Sequence, residues 1–369
     1  LTPQAAGGSS EVDRTRDALG RVTRTHVPYW VGGATNGYQD TSFDLLGRVT
    51  ATATYTATGS LHSSTSTAWS GLTATTTDAL GHITTRVVLA WGPLTRVTDA
   101  AGGSTNYRSN AFGQLTQTSD AYGTIVMQSA YNLRGMPTTL TNVNRGSTTR
   151  VPNALGEVVS ETTAKGQTRS HVYDLLGRLT SRSEPEGTST WTWGTIADNT
   201  ANAKYVGGLK ALAGPGYAES YVNDAYGRLK TRTVTSDASY QIDYGYNTLG
   251  TLDTLTYPVS TAGYRLKLQY DYSNGVPVAI KDFNAPTTVI WSSTANDARG
   301  AVIDETLGTN LRVLTGRDPL TGQMDYRQAG VGGGSSLQNL AYSWDVNDNL
   351  TSRGDANQAG SCTVGGAAG

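Results

Sequence analysis

The strongest constraint on this chain is a short turn signal that recurs along almost its whole length. Its fullest copy is Tyr173-Asp174-Leu175-Leu176-Gly177-Arg178-Leu179-Thr180. Asp or Asn followed three residues later by Gly suits the first and fourth positions of a type I β-turn. The Asx side chain bonds backbone N–H groups two residues on, and Gly tolerates the positive φ that often follows. The pair recurs at Asp17/Gly20, Asp44/Gly47, Asp78/Gly81, Asp99/Gly102, Asn110/Gly113, Asp120/Gly123, Asn132/Gly135, Asn153/Gly156, Asp174/Gly177, Asp224/Gly227, Asn247/Gly250 and Asp297/Gly300. Between Gly81 and Gly187 the glycines fall every ten to twelve residues. Each step holds one strand of roughly six residues and one tight turn.

The residues after many of these glycines alternate, as in Arg21-Val22-Thr23-Arg24-Thr25 and Arg178-Leu179-Thr180-Ser181-Arg182. Period two places Val22, Val49, Leu115, Leu179 and Leu229 on one face of their strands, with polar neighbours on the other. No window of similar length carries a helical period. Copies of the octet replace Arg178 with Gln114, His82, Glu157 or Thr251, so the parts a turn needs are read as the Asx and the Gly, with Tyr173 as a flanking apolar position. The structural turn residues expected are therefore Asp17, Gly20, Asp44, Gly47, Asp78, Gly81, Asn110, Gly113, Asn153, Gly156, Tyr173, Asp174, Gly177, Asp224, Gly227, Asn247 and Gly250.

Composition agrees with many short strands: 44 Gly and 20 Tyr against 3 Phe, and only 15 % charged residues. The expected organisation is an irregular lead-in over 1–16, cut from a longer chain, then a repeat array over 17–355 with a longer insertion near 194–220, and a disordered tail over 356–369. The 28 basic and 29 acidic residues are interspersed and leave a net charge of −1. No basic stripe marks a nucleic-acid partner. Cys362 is the single cysteine and forms no disulfide within the chain. No apolar run is long enough for a membrane-spanning helix.

Catalytic motifs are not found. His26, His62, His82 and His171 stand far apart, with no Cys or carboxylate at metal-ligand spacing. Gly214-Pro215-Gly216 has no third Gly where a phosphate cradle needs one. Asp345-Val346-Asn347-Asp348-Asn349 matches the first half of a calcium loop, but Leu350 and Ala356 stand where its Gly and closing Glu belong, so an Asx-rich turn is the better account. No catalytic residue, cofactor site or metal site is expected. Trp191 and Trp193, alternating with Thr190 and Thr192, put two rings on one face of a strand. Cross-strand packing is the favoured reading, and an exposed row that stacks on sugars is the rival.

The octet and its copies resemble the YD repeat of the RHS (rearrangement hot spot) family, over roughly Asp17 to Arg353. Val222-Asn223-Asp224-Ala225-Tyr226-Gly227-Arg228-Leu229 and Tyr246-Asn247-Thr248-Leu249-Gly250 look like variants. The resemblance implies an all-β fold of antiparallel strands in a continuous spiralling sheet, with little or no helix. It also implies a bacterial shell protein, secreted or at the cell surface, in which the wall encloses a C-terminal toxin domain of the same polypeptide. Toxin-complex subunits, wall-associated contact toxins and teneurins are relatives of that family. The core motif that closes such a shell is not found. Asp318-Pro319-Leu320-Thr321-Gly322-Gln323-Met324-Asp325 is similar to the family's cleavage region only in its Asp-Pro pair and reads as another degenerate turn. The function expected is a non-catalytic shell segment. The alternative is an extracellular adhesion or carbohydrate-binding module using Trp191 and Trp193.

Overall fold

The structure is a computed structural model that describes residues 4–5 and 8–358. Its described residues are strands joined by tight turns, with one 3-10 turn, Ile196–Asp198, as the helical element. The chain divides into two compact units, one made of residues 1–90, 97–103 and 269–369, the other of residues 91–96 and 104–268.

The second unit is the plainer. Fourteen strands from Ser104–Ser109 to Leu252–Thr256 pair each with the next, antiparallel, in chain order. The strand Gly187–Trp193 alternates between half-buried and exposed positions from end to end, as a period-two sequence requires. The insertion expected near 194–220 is narrower: residues 194–208 form a wider loop containing the 3-10 turn, and Leu209–Gly214 and Tyr217–Asn223 already pair as strands of the array.

The first unit holds two runs. One goes from Arg14–Arg16 through Val22–His26, Tyr38–Phe43, Val49–Tyr55, Leu61–Ser70 and Thr73–Thr77 to Ile83–Val88. The other goes from Val276–Asp282 to Leu350–Asp355. Strand Gln4–Ala5 precedes the first run in the chain and pairs with Asn296 and Ala295 of the second. The stretch 1–16, expected to be irregular, thus supplies strands at Gln4–Ala5, Ser10–Glu11 and Arg14–Arg16. They lack the Asx-x-x-Gly signal because they are held by distant partners: Ser10–Glu11 pairs with Tyr29–Trp30. Of the tail expected beyond 355, residues 359–369 lie outside the described residues.

Neither unit has a deep core. No large side chain among the described residues is less than 2 % exposed, and the buried apolar ones are mostly Ala, with Tyr29, Leu268, Val313 and Leu340. Ladder hydrogen bonds and side-chain pairs therefore carry more of the stability than in a two-layer domain.

The repeat turn as candidate functional site

Each octet folds into the same object. In the fullest copy, Gly177 N–H donates to the Asp174 carbonyl at 3.0 Å and Asp174 N–H to the Arg178 carbonyl at 2.9 Å. Asp174 Oδ1 accepts from the N–H groups of Leu176 and Arg178, at 2.9 and 3.0 Å. Gly177 sits at φ +76°, the left-handed position of a type I turn closed by a bulge. Where the copy beginning at Asp345 lacks Gly, Asp348 takes φ +67°, as the Asx-turn reading requires. The Asp318 turn is one residue longer, closing from Gly322 N–H to the Asp318 carbonyl, so it too is a turn variant.

The fifth residue is not free to vary as its substitutions suggest. Arg178 Nε donates to Asp174 Oδ2 at 2.7 Å, and the Asp17–Arg21, Asp44–Arg48 and Asp224–Arg228 pairs repeat that bond. His82 Nδ1 meets Asp78 Oδ2 at 2.9 Å. In three of the four copies that begin with Asn the fifth accepts instead: Asn110 to Gln114, Asn153 to Glu157 and Asn247 to Thr251, each at 2.6 Å. Donor and acceptor change together. The Asp297 turn has Ala301 in fifth place, and Asp297 Oδ2 is buried without a hydrogen-bond partner among the described residues. Bonds from Arg178 and from backbone N–H groups hold the Asp174 carboxyl below its usual range.

Neighbouring turns are interlocked. The fifth side chain also lies under the Gly of the next turn on the same edge: Gln114 Nε2 bonds the Gly135 carbonyl, and a Cβ at Gly177 would stand 3.1 Å from Glu157 Oε1. The aromatic that precedes the Asx reaches back to the strand before it. Tyr173, Tyr131 and Tyr246 hydroxyls donate to the carbonyls of Val158, Leu115 and Leu229 at 2.8 to 3.0 Å. Indole N–H groups of Trp193, Trp69 and Trp344 do the same to Leu179, Val49 and Met324. The acceptor is each time the apolar residue two after the previous Gly on that edge. Thr180 lies at a register shift beside Val172/Tyr173, and its hydroxyl donates to the Val172 carbonyl at 3.1 Å. Thr116 and Thr138 repeat that bond to Arg108 and Ala130.

Trp191 and Trp193 share the half-buried face of their strand. The guanidinium of Arg182 covers one face of Trp191 at 5.6 Å and that of Arg178 one face of Trp193 at 5.1 Å. The same pairing sets Arg48 over Trp69 and Arg228 over Tyr246. These rings belong to the interlock between strands.

One polar cluster carries no sequence motif. Glu219 is 7 % exposed and takes both ends of the Arg232 guanidinium, at 2.6 and 2.7 Å, with the hydroxyls of Tyr217 and Tyr221 on the same carboxylate. The Arg232 bonds lower its pKa to about 2. The four partners alternate along two paired strands, a placement visible only once the register is known. The histidines do not form a cluster with metal-ligand geometry among the described residues. His26 and His62 nevertheless come to one cavity of about 330 Å³, beside Asp348. A concavity of about 590 Å³ on the first run has its four charged lining residues already paired, Asp17 with Arg21 and Arg24 with Asp40.

A family model of the RHS repeat matches residues 153–189, which contain two successive same-edge turns and the fullest octet. No curated protein sequence matches. The crystal structure of TcdB2-TccC3 superposes with a TM-score of 0.80 at 18 % identity, over 95 % of this chain and 20 % of that one. The Photorhabdus luminescens Tc holotoxin pore, bearing a TccC3 substitution, gives 0.79 at 18 % identity over 96 % and 20 %. TcdB2-TccC3 without its hypervariable C-terminal region gives the same values. The chain spans about a fifth of these proteins. The likeness establishes the fold along the chain, and the repeat expected from the octet is present at 153–189.

Proposed function

Taking the chain as a stretch of RHS-repeat β-wall, we propose that it is a non-catalytic segment of a toxin shell, enclosing or presenting a toxin domain of the same polypeptide. The observation that carries this reading is the fate of the repeat's polar groups. Asp174, Arg178, Tyr173 and Thr180, which could be taken for a catalytic set, are each bonded within the turn or to the adjoining strand. What they produce is a sheet, and a sheet of this kind acts by excluding volume. A guest held behind such a wall loses room to fold and is shielded from proteases. The wall itself offers proteases few loose backbones, because its loops are mostly tight turns. A secreted or cell-surface location and a role in competition between bacteria follow from the same reading.

Limited proteolysis tests it. The longest natural polypeptide containing this chain is digested beside its C-terminal region expressed free. Survival of that region at protease levels that destroy the free form is expected. Equal digestion of the two would overturn the enclosure.

A further inference from the structure

The two runs of the first unit meet along one seam. Hairpin turns of an antiparallel run alternate between its two edges. Turns 56–59 and 78–81 share one edge of the run from Arg14 to Val88, and turns 297–300, 318–322 and 345–348 share one edge of the run from Val276 to Asp355. These are the edges that touch. Leu320 fills the space where Gly37 has no Cβ, and Asn347 Nδ2 donates to Asp78 Oδ2 at 2.7 Å.

The oxygen that accepts from Asn347 has a second partner. His82 Nδ1 lies 2.9 Å from the same Asp78 Oδ2. His82 is the fifth residue of its turn, the place from which Arg21, Arg48, Arg178 and Arg228 bond Asp17, Asp44, Asp174 and Asp224. An arginine there stays charged, whereas a histidine changes its charge between about pH 5 and pH 8. The turn that links the two runs thus carries a titratable cation where four sister turns carry a permanent one. Two carboxylates bear on it: Asp78 on its own turn and, on the turn facing it, Asp345, which feels Asp78 as a like charge across the seam. His26 and His62 also reach this seam, in the cavity they share with Arg299 and Asp348, where an added charge meets one group of each sign.

We propose that His82 makes the seam a proton-dependent clasp, held most firmly when the imidazole is charged and loosened when it is neutral. Charged, the ring balances Asp78 and attracts Asp345. Neutral, it leaves the two carboxylates opposed, with the Asn347 bond between them. The stabilisation is therefore complete below the ordinary histidine range and is lost as the pH rises through it. The His82 side chain is 52 % exposed, so the effect has the size of a surface ion pair and is screened by salt.

Hydrogen exchange of the purified chain at low salt tests this, read as protection factors so that the intrinsic pH dependence of exchange cancels. The seam is read at turns 318–322 and 345–348, and turn 174–177 is the control because Arg178 stays charged. In the unmodified chain, protection at the seam turns is expected to fall about threefold from pH 5 to pH 8, while the control turn holds constant. His82→Arg, the residue four other turns accept in this place, should keep the seam turns protected at both pH values. His82→Gln should leave them at the lower level at both. An unmodified chain with no fall, a fall that survives His82→Arg, or an equal fall at the control turn would overturn the proposal.

Discussion

At the residue scale, Asp174 and Arg178 exchange a side-chain bond that only a donor in fifth place can complete, and Asn153 with Glu157 shows the same contact with the roles reversed. Asp174→Asn should therefore lower the urea midpoint by placing two donors face to face, and adding Arg178→Gln should recover at least half of that loss. No recovery in this double-mutant cycle would mean that the fifth residue is a passive neighbour. Gly177→Ala should cost about 1 kcal/mol for the left-handed backbone, while Gly177→Asn should cost roughly half as much, since Asx residues adopt that region, as Asp348 does. Urea denaturation at matched m-value reads both. The Asx and Gly positions were legible in the sequence because their chemistry is local. The pairing rule was in plain view as well. Arg or His stands after Asp in most copies, and Gln, Glu or Thr after Asn in three of four, but each substitution taken alone looks like tolerance, and the rule shows only when first and fifth residues are compared copy by copy. Met136 after Asn132, and Gly103, Thr124 and Ala301 after Asp99, Asp120 and Asp297, depart from it, and Ala301 leaves a buried carboxylate oxygen of Asp297 unpartnered among the described residues.

At the scale of the element, six strands are fixed to the one before by an aromatic hydroxyl or indole N–H on a carbonyl. Tyr173→Phe removes one such bond, from Val158, and leaves a half-buried carbonyl unpaired, so it should destabilise the chain by about 1 kcal/mol. An unchanged urea midpoint would show that the ring's packing alone matters. Period two in the sequence gave the faces of these strands, but not which carbonyl a tyrosine fifteen residues away would reach. That depends on the register shift at Val172/Tyr173, which no single strand encodes. The Glu219 cluster was hidden for the same reason: its arginine lies on the neighbouring strand, opposite Tyr221. Its carboxyl is lowered from 4.5 to about 2 in the folded chain, so its contribution is complete above pH 4.5 and is lost as the pH falls toward 2. Thermal unfolding followed from pH 6 to pH 2 should show a fall in Tm over that window, and Glu219→Gln should flatten it while lowering the plateau. A variant with the same acid slope as the unmodified chain would assign that slope to other carboxylates.

Across the whole molecule, the turn signal correctly announced a strand array with almost no helix, because repetition writes the same local instruction many times over. The short strands at the N-terminal end escaped it: Gln4–Ala5 and Ser10–Glu11 have no turn of their own and exist because Asn296 and Tyr29 lie opposite them. The expectation of a lead-in without structure failed for that physical reason. The proposed shell role requires that the repeats build a wall around a guest. An electron cryomicroscopy map of the longest natural polypeptide containing this chain tests it most directly. A hollow shell is expected in which residues 17–355 form part of a single-layer β-wall, with weak, unfolded density for a guest inside. A map placing the repeats in an open sheet, with the C-terminal region folded outside it, would contradict the claim.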